Sequence, residues 1–267
     1  LVFSEWWTKG AEGYYNARYV ELYNNSDITV YLDGMLLGQV WEAVADLSWL
    51  EPELSCAATN SWRNDPSGVW SAGMHKFPGS GRDFPVAPGQ AVTVAMDAVD
   101  HSPAYPGLPD LSDADFELDG FADVDNPDVP NMPYLGPEVA WDTGSGLDIW
   151  PMMFLAQATE FESLDRRRDV RGNEYARVPT ELILDVVRIV DGYVYQHQQN
   201  NPPCDLVAPR NLERLEGGEF LTYDDLSLAA HRRILRTTTE GRFVLQDVNT
   251  SFLDFVHGTR TPGRVER

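Results

Sequence analysis

Lysine is almost absent from this chain: Lys9 and Lys76 are the only two among 267 residues. Together with arginine they make 20 basic residues against 42 acidic ones, a formal net charge of −22. A surface of that sign repels phosphate backbones, which argues against nucleic-acid binding. It equally disfavours electrostatic docking on an anionic membrane face. A Lys-poor, Asp-rich composition fits either adaptation to high salt, where self-repulsion is screened, or a functional acidic surface. Long apolar runs are also missing, and none approaches the ~20 residues of a membrane-spanning helix. The opening Leu1-Val-Phe-Ser lacks the basic and apolar regions of an export leader, the start expected of a mature or trimmed chain.

Cysteine is scarce. Cys56 and Cys204 stand far apart and form no CxxC pair. In an exported protein they would be a single disulfide closing a long loop; otherwise they are two buried thiols. Catalytic signatures are missing too. Ser80 and Ser145 each sit between glycines in loops, without the G-x-S-x-G elbow. No H-E-x-x-H, P-loop or G-x-G-x-x-G occurs. His75, His101, His197, His231 and His257 share no metal-ligand spacing. His101, beside Asp97 and Asp100, reads as an ordinary hydrogen-bonding residue. A carboxylate pair for glycoside hydrolysis is defined by spatial separation and cannot be chosen from sequence. The chain is therefore expected not to be an enzyme.

What is present is strand. Tyr19-Val-Glu-Leu-Tyr23 alternates apolar and polar positions, Asn24 to Asp27 supply turn formers, and Ile28, Val30 and Leu32 resume the alternation. The unit reads as a hairpin closed by Asp33-Gly34, with one face of its first strand in solvent. Further strands are expected at Leu1–Glu5, Ala91–Met96, Met152–Ala158, Leu182–Val190 and Phe243–Gln246. The stretch 182–190 is apolar on both faces, as a central strand would be. The composition, with 43% hydrophobic residues and eight Trp, supports a folded all-β core. A single domain over 1–267 is expected, with long insertions at about 38–81, 97–150 and 196–226. Weak helical patterns at Val40, Val44 and Leu47, and near Asn211–Leu215, predict a few short helices. Function is expected in the insertions, since binding residues concentrate on loops held by a rigid scaffold.

Several separate stretches, in order, resemble an uncharacterised family of exported Bacteroidetes proteins that looks like an elaborated lamin-tail domain. They are Tyr19–Gly34, Pro78–Gly81 through Pro85–Gly89, Asp97–His101, Asp110–Glu117, Asp123–Met132 and Val178–Val187. The last runs from Arg232-Arg233 through Thr239–Arg242 to Asp254-Phe255, and Thr261-Pro-Gly263 resembles the end of a lamin-tail domain. The resemblance implies a lamin-tail or immunoglobulin-like β-sandwich and an exported, outer-membrane-associated or cell-surface location, with a signal or lipoprotein leader. Its genes commonly accompany TonB-dependent outer-membrane transporters. It supplies no catalytic residues. Export tips the cysteine reading towards the disulfide.

Three sets of residues stand out as candidate sites. From Asp83 to Asp165 there are 17 acids and no Lys or Arg. Hard oxygen donors in a flexible loop suit calcium, the one cofactor considered. Asp113-x-Asp115-x-Glu117 fails the EF-hand template because Leu118 stands where Gly is needed. A site of another kind at Asp123, Asp125, Asn126 and Asp128 stays open beside the simpler reading, a solvated loop whose aspartates cap turns. Trp41, Trp49, Trp62 and Trp70 are the candidates for a partner-binding surface, while core packing is the commoner use of Trp. Trp6 and Trp7, adjacent on a strand, point to opposite faces, so one is a candidate for exposure. Arg166-Arg-Arg168, with Arg171 and Arg177, reads as the basic cluster, pairing within the chain with the acidic insertion.

These features favour a non-enzymatic accessory or binding subunit of an outer-membrane complex. A glycan-binding module or glycan-active enzyme is the second reading. A self-assembling surface protein that lends a strand between subunits is the third.

Overall fold

The computed structural model describes residues 1–7, 16–40, 65, 67–120, 124–136, 152–168, 174–191, 221–223 and 228–265. In chain order the strands are β1 (Val2–Trp7), β2 (Tyr19–Tyr23), β3 (Val30–Tyr31), β4 (Leu36–Gln39), β5 (Gly68–Ser71), β6 (Met74–Lys76) and β7 (Pro85–Val86). There follow β8 (Ala91–Ala95), β9 (Phe116–Leu118), β10 (Asn131–Met132), β11 (Tyr134–Leu135), β12 (Met152–Ala156), β13 (Asp165–Arg168) and β14 (Glu174–Pro179). The last are β15 (Ile183–Asp191), β16 (Leu221–Tyr223), β17 (Leu228–Arg232), β18 (Ile234–Thr237), β19 (Phe243–Leu245) and β20 (Phe255–Thr259). A single α-helical turn, α1 (Ser251–Asp254), precedes β20. The protein is all-β, and each strand expected from the alternation is present to within two residues.

One seven-stranded sheet runs β10-β9-β8-β2-β1-β17-β20, and a six-stranded sheet runs β11-β6-β4-β12-β15-β16. They share a core. Phe3, Trp6, Val20, Leu22 and Val94 come from the first sheet and Leu37, Met153, Leu155 and Val187 from the second. Each such buried side chain contributes roughly 1.5–3 kcal/mol. The far face of the six-stranded sheet packs through Leu36, Met74, Phe154 and Val186 onto Val69, Ala176 and Val178 of a third sheet, β13-β14-β5. β15 lies inside its sheet, between β12 and β16, and buries residues towards both layers, as its doubly apolar sequence requires.

The expected hairpin is a correction. β2 hydrogen-bonds to β1 and β8, whereas β3 pairs with β7, so the two strands part at the turn. The turn itself is as read: Asn24 Nδ2 donates to the Ile28 and Val86 carbonyls, and Asn24 Oδ1 accepts from Ser26. Alternation announces a strand without naming its partner. β2 also has no solvent face, since all five of its residues are buried. Tyr23 lies under Leu245, Phe243 and Val265, and Tyr19 packs with Trp7, Ala98 and Leu111. Trp6 and Trp7 do point to opposite faces, and both are buried, each under a different layer.

The stretches that carry the family resemblance meet one another through polar contacts. Asp33 accepts the backbone N–H groups of Gly81, Asp83 and Phe84 at 2.8–3.0 Å. Burial acts to raise its pKa, but those donors outweigh it and hold the carboxyl below its ordinary value. A Cβ at Gly79 would fall 2.2 Å from Asp33 Oδ1, and φ there is +106°, so only glycine fits. Glu117 accepts from the Ala98 and Asn126 amides, and the Asn126 side chain donates to the Ala98 carbonyl at 2.7 Å. Arg242 ties the second half to the first through the Asn25 carbonyl and Asp27.

Candidate functional site

The residues expected to bind are placed as follows. Trp41, Trp49 and Trp62 lie outside the described residues, as do Asp123, Cys56 and Cys204. Trp70 is buried, donates from Nε1 to Asp65 at 3.1 Å and packs on Tyr175, so it serves as a structural anchor. Asp125 accepts from the Asn131 side chain, and Asn126 Oδ1 accepts the Asp128 amide at 3.1 Å. Asn126 thus holds the turn, while Asp125 tethers it to β10. Among the described residues no group of three or more His, Cys, Asp or Glu is arranged so that it could hold a metal ion. His101 is buried, with Nε2 at 3.0 Å from the Asp97 carbonyl.

The arginine cluster pairs within the chain, and only Arg177 does so with the acidic stretch, through its last acid, Asp165; Arg171 lies outside the described residues. Arg166 and Arg168 bind Glu174, and Arg177 binds Asp165 and Asp65. Antiparallel pairing of β13 with β14 places these charges side by side.

A second basic segment, His231-Arg-Arg-Ile-Leu-Arg236, lines an open groove. It spans β17 and β18, and the groove, about 800 Å³ in volume, is walled by β18 and by Val256–Thr259 of β20. His231, Arg232, Arg233, Arg236 and His257 line it, and among the described residues no acidic one does. Arg233, Arg236 and His257 are exposed. Arg233 Nε donates to the Leu253 carbonyl at 2.9 Å; neither Arg233 nor Arg236 has an acidic partner among the described residues. Leu235, which lines it, is 60% exposed, and the loop whose Leu253 carbonyl meets Arg233 exposes Val248, Phe252 and Leu253.

Beneath the groove Arg232 is wholly buried. Its guanidinium donates to the Phe3 carbonyl, to Asp185 Oδ2 at 2.7 Å and to Asp247 Oδ1 at 3.2 Å, and lies 3.7 Å from Asp254. The ring of Phe255 packs 4.8 Å below it. Burial pushes the Asp185 carboxyl up to about 6, the Arg232 charge opposing that rise. Asp254 accepts the amides of Val248 and Thr250, winding residues 246–254 into a tight loop in which Asn249 adopts φ 59°. This loop carries Val248, Phe252 and Leu253. Sequence reading missed the groove because β17, β18 and β20 lack a clean alternation; the available signal was three arginines within five residues of a base-poor chain.

The other unusual feature is a polar row under the C-terminal segment. A register shift in β1 between Phe3 and Glu5 brings both Ser4 and Glu5 to the outer face, where Glu5 stands opposite Glu21. Glu5 accepts from Tyr19 and from the Thr261 amide and hydroxyl at 2.9 Å, with His231 Nδ1 at 3.5 Å. Ser4 donates to Glu21 Oε1 at 2.6 Å, while buried Oε2 has no close hydrogen-bond partner among the described residues. Burial raises the Glu21 pKa to about 8, with the Glu5 charge adding to the rise and the Ser4 and Gly263 hydrogen bonds opposing it. The side-by-side carboxylates are thus enclosed and employed in tying down Thr261–Gly263.

Fold and groove together define an all-β domain that presents a basic, apolar-rimmed cleft at a sheet edge. No family model matches the chain, and no curated protein does. Among solved structures it is similar to a DUF4876 family protein from Bacteroides thetaiotaomicron VPI-5482. The TM-score is 0.60 and the identity 20%, covering 100% of this chain and 72% of that one. At that identity the likeness is one of fold, and the neighbour is of the kind the sequence resemblance named: a Bacteroides protein of a domain-of-unknown-function family.

Proposed function

We propose that this chain is a non-enzymatic binding domain of the cell envelope, a lamin-tail-like accessory subunit of an outer-membrane complex of the TonB-dependent transporter kind. The observation that carries the binding reading is the groove. Exposed arginines, a type enriched among interface hot spots, stand beside exposed apolar side chains on a scaffold immobilised by the buried Arg232 network. The non-enzymatic part is supported by the use of Glu5 and Glu21, whose carboxyl groups are covered and hydrogen-bonded to the C-terminal segment. Export and the envelope location rest on the sequence resemblance. No helix among the described residues is long and apolar enough to cross a membrane, so membrane association would come through a partner or an anchor. The test is purification from the native envelope in gentle detergent, with quantitative mass spectrometry of what co-elutes. A stoichiometric outer-membrane protein is the expected result; elution as a lone monomer would overturn the reading.

A further inference from the structure

We infer that the groove takes an acidic, extended segment of a partner protein, which adds as a strand to the edge of β20. The inference rests on the binding reading above and names the site and the partner's chemistry. Among the described residues β20 is hydrogen-bonded only on its β17 side and β18 only on its β19 side. The groove is therefore bordered by two strand edges, each offering main-chain donors and acceptors along a line, and an extended chain satisfies such edges.

Charge selects the occupant. Arg233 and Arg236 are exposed along this slot without an acidic partner among the described residues, whereas Asp185, Asp247 and Asp254 pair with Arg232 and Glu5 lies against His231. The slot is thus a local positive strip on a chain of net charge −22. Screening over ~8 Å at physiological ionic strength lets that strip act on a bound segment while the distant acids do not. Exposed Leu235 and Leu253 at the rim suit the apolar residues that alternate with acidic ones along a strand. Arginine forks favour carboxylates for the same geometric reason. An anionic glycan would meet the charge but leave the strand edges unsatisfied, so the peptide is the better match.

Fluorescence anisotropy with the whole chain tests this, using a labelled peptide of alternating Asp and Val as probe. Comparison ligands are its Lys-for-Asp counterpart, a version N-methylated at alternate amides, and a polyuronate. The acidic peptide is expected to bind, and the Lys peptide not. N-methylation on the edge-facing register is expected to weaken binding by about tenfold or more, as is the exposed double variant Arg233→Glu/Arg236→Glu. Equal binding of acidic and basic peptides, indifference to the double variant, or displacement by polyuronate but not by peptide would each overturn the inference. The two levels separate cleanly. If the double variant still captures the same stoichiometric envelope partner as the wild type, the binding-domain reading stands and the groove assignment falls. If the acidic peptide binds as expected but the chain elutes alone from the envelope, the groove stands and the complex falls.

Discussion

Two short basic segments, Arg166–Arg168 and His231–Arg236, occupy edge regions of this fold and end in opposite states. On β13 the charges are consumed locally: Arg166 and Arg168 share Glu174, and Arg177 reaches back to Asp165 and Asp65. On β17 and β18 the segment divides its labour. Arg232 turns inward and gathers three acids, while Arg233 and Arg236 turn outward over a groove that no acid among the described residues lines. Adjacent residues on a strand face opposite ways, so two arginines side by side can be foundation and surface at once. The difference teaches that charge in sequence measures what must be paired, and only the fold decides what is left to bind.

The comparison breaks most visibly at Arg232. Replacing it with Met removes the partner of Asp185 and Asp254 together, and a buried pair broken on one side costs about 3–5 kcal/mol. Urea unfolding should register that loss, and limited proteolysis should open residues 246–254 first. A loss under about 1 kcal/mol would mean that the network is not the foundation of the groove.

The next effect tests the C-terminal cover. The Glu21 pKa is raised from 4.5 unfolded to about 8 folded, so the native state holds a proton that the unfolded chain releases. Its contribution to stability is therefore full below about pH 4.5 and is lost as pH rises to about 8. Glu21→Gln should flatten this part of the stability–pH curve and be more stable than wild type above pH 8, with little difference at pH 5. Denaturant midpoints across that range check it, and parallel curves for the two proteins would contradict it.

Smaller still is Trp70→Phe, which loses the Nε1 bond to Asp65 and some contact area, about 1–2 kcal/mol. Because Trp70 is buried, capture of an envelope partner should not change. A lost partner with intact stability would restore Trp70 as a contact residue. The smallest effect is expected for Arg166→Ala/Arg168→Ala, whose exposed pairs with Glu174 should leave the melting temperature within experimental error. A large drop would erase the distinction between the two basic segments.

Much of the fold was legible from alternation alone. Tyr19–Tyr23, Ala91–Ala95 and Ile183–Asp191 are strands for the reasons visible in their side chains. Their partners were not legible: β2 and β3 read as a hairpin because the turn between them is well formed, yet they join different neighbours. Nor was the burial of Glu21 legible, since a glutamate between Leu22 and Val20 reads as a solvent-facing residue until Thr261–Gly263 is seen to cover it. Asp125, read as a potential ligand, accepts from the side chain of Asn131 in β10, a partner that its own surroundings in sequence do not name. The groove was hidden because its two strands, β18 and β20, pair with different neighbours, with Arg232 silent about which way it turns.

The most direct test is an NMR titration of the isotopically labelled chain with the acidic peptide at physiological salt. Shift changes concentrated in residues 231–237 and 255–259, with loss of solvent exchange at β20 amides, are the expected result. Changes centred on the acidic segment 110–128, or none at saturating peptide, would contradict the assignment of the groove as the binding surface.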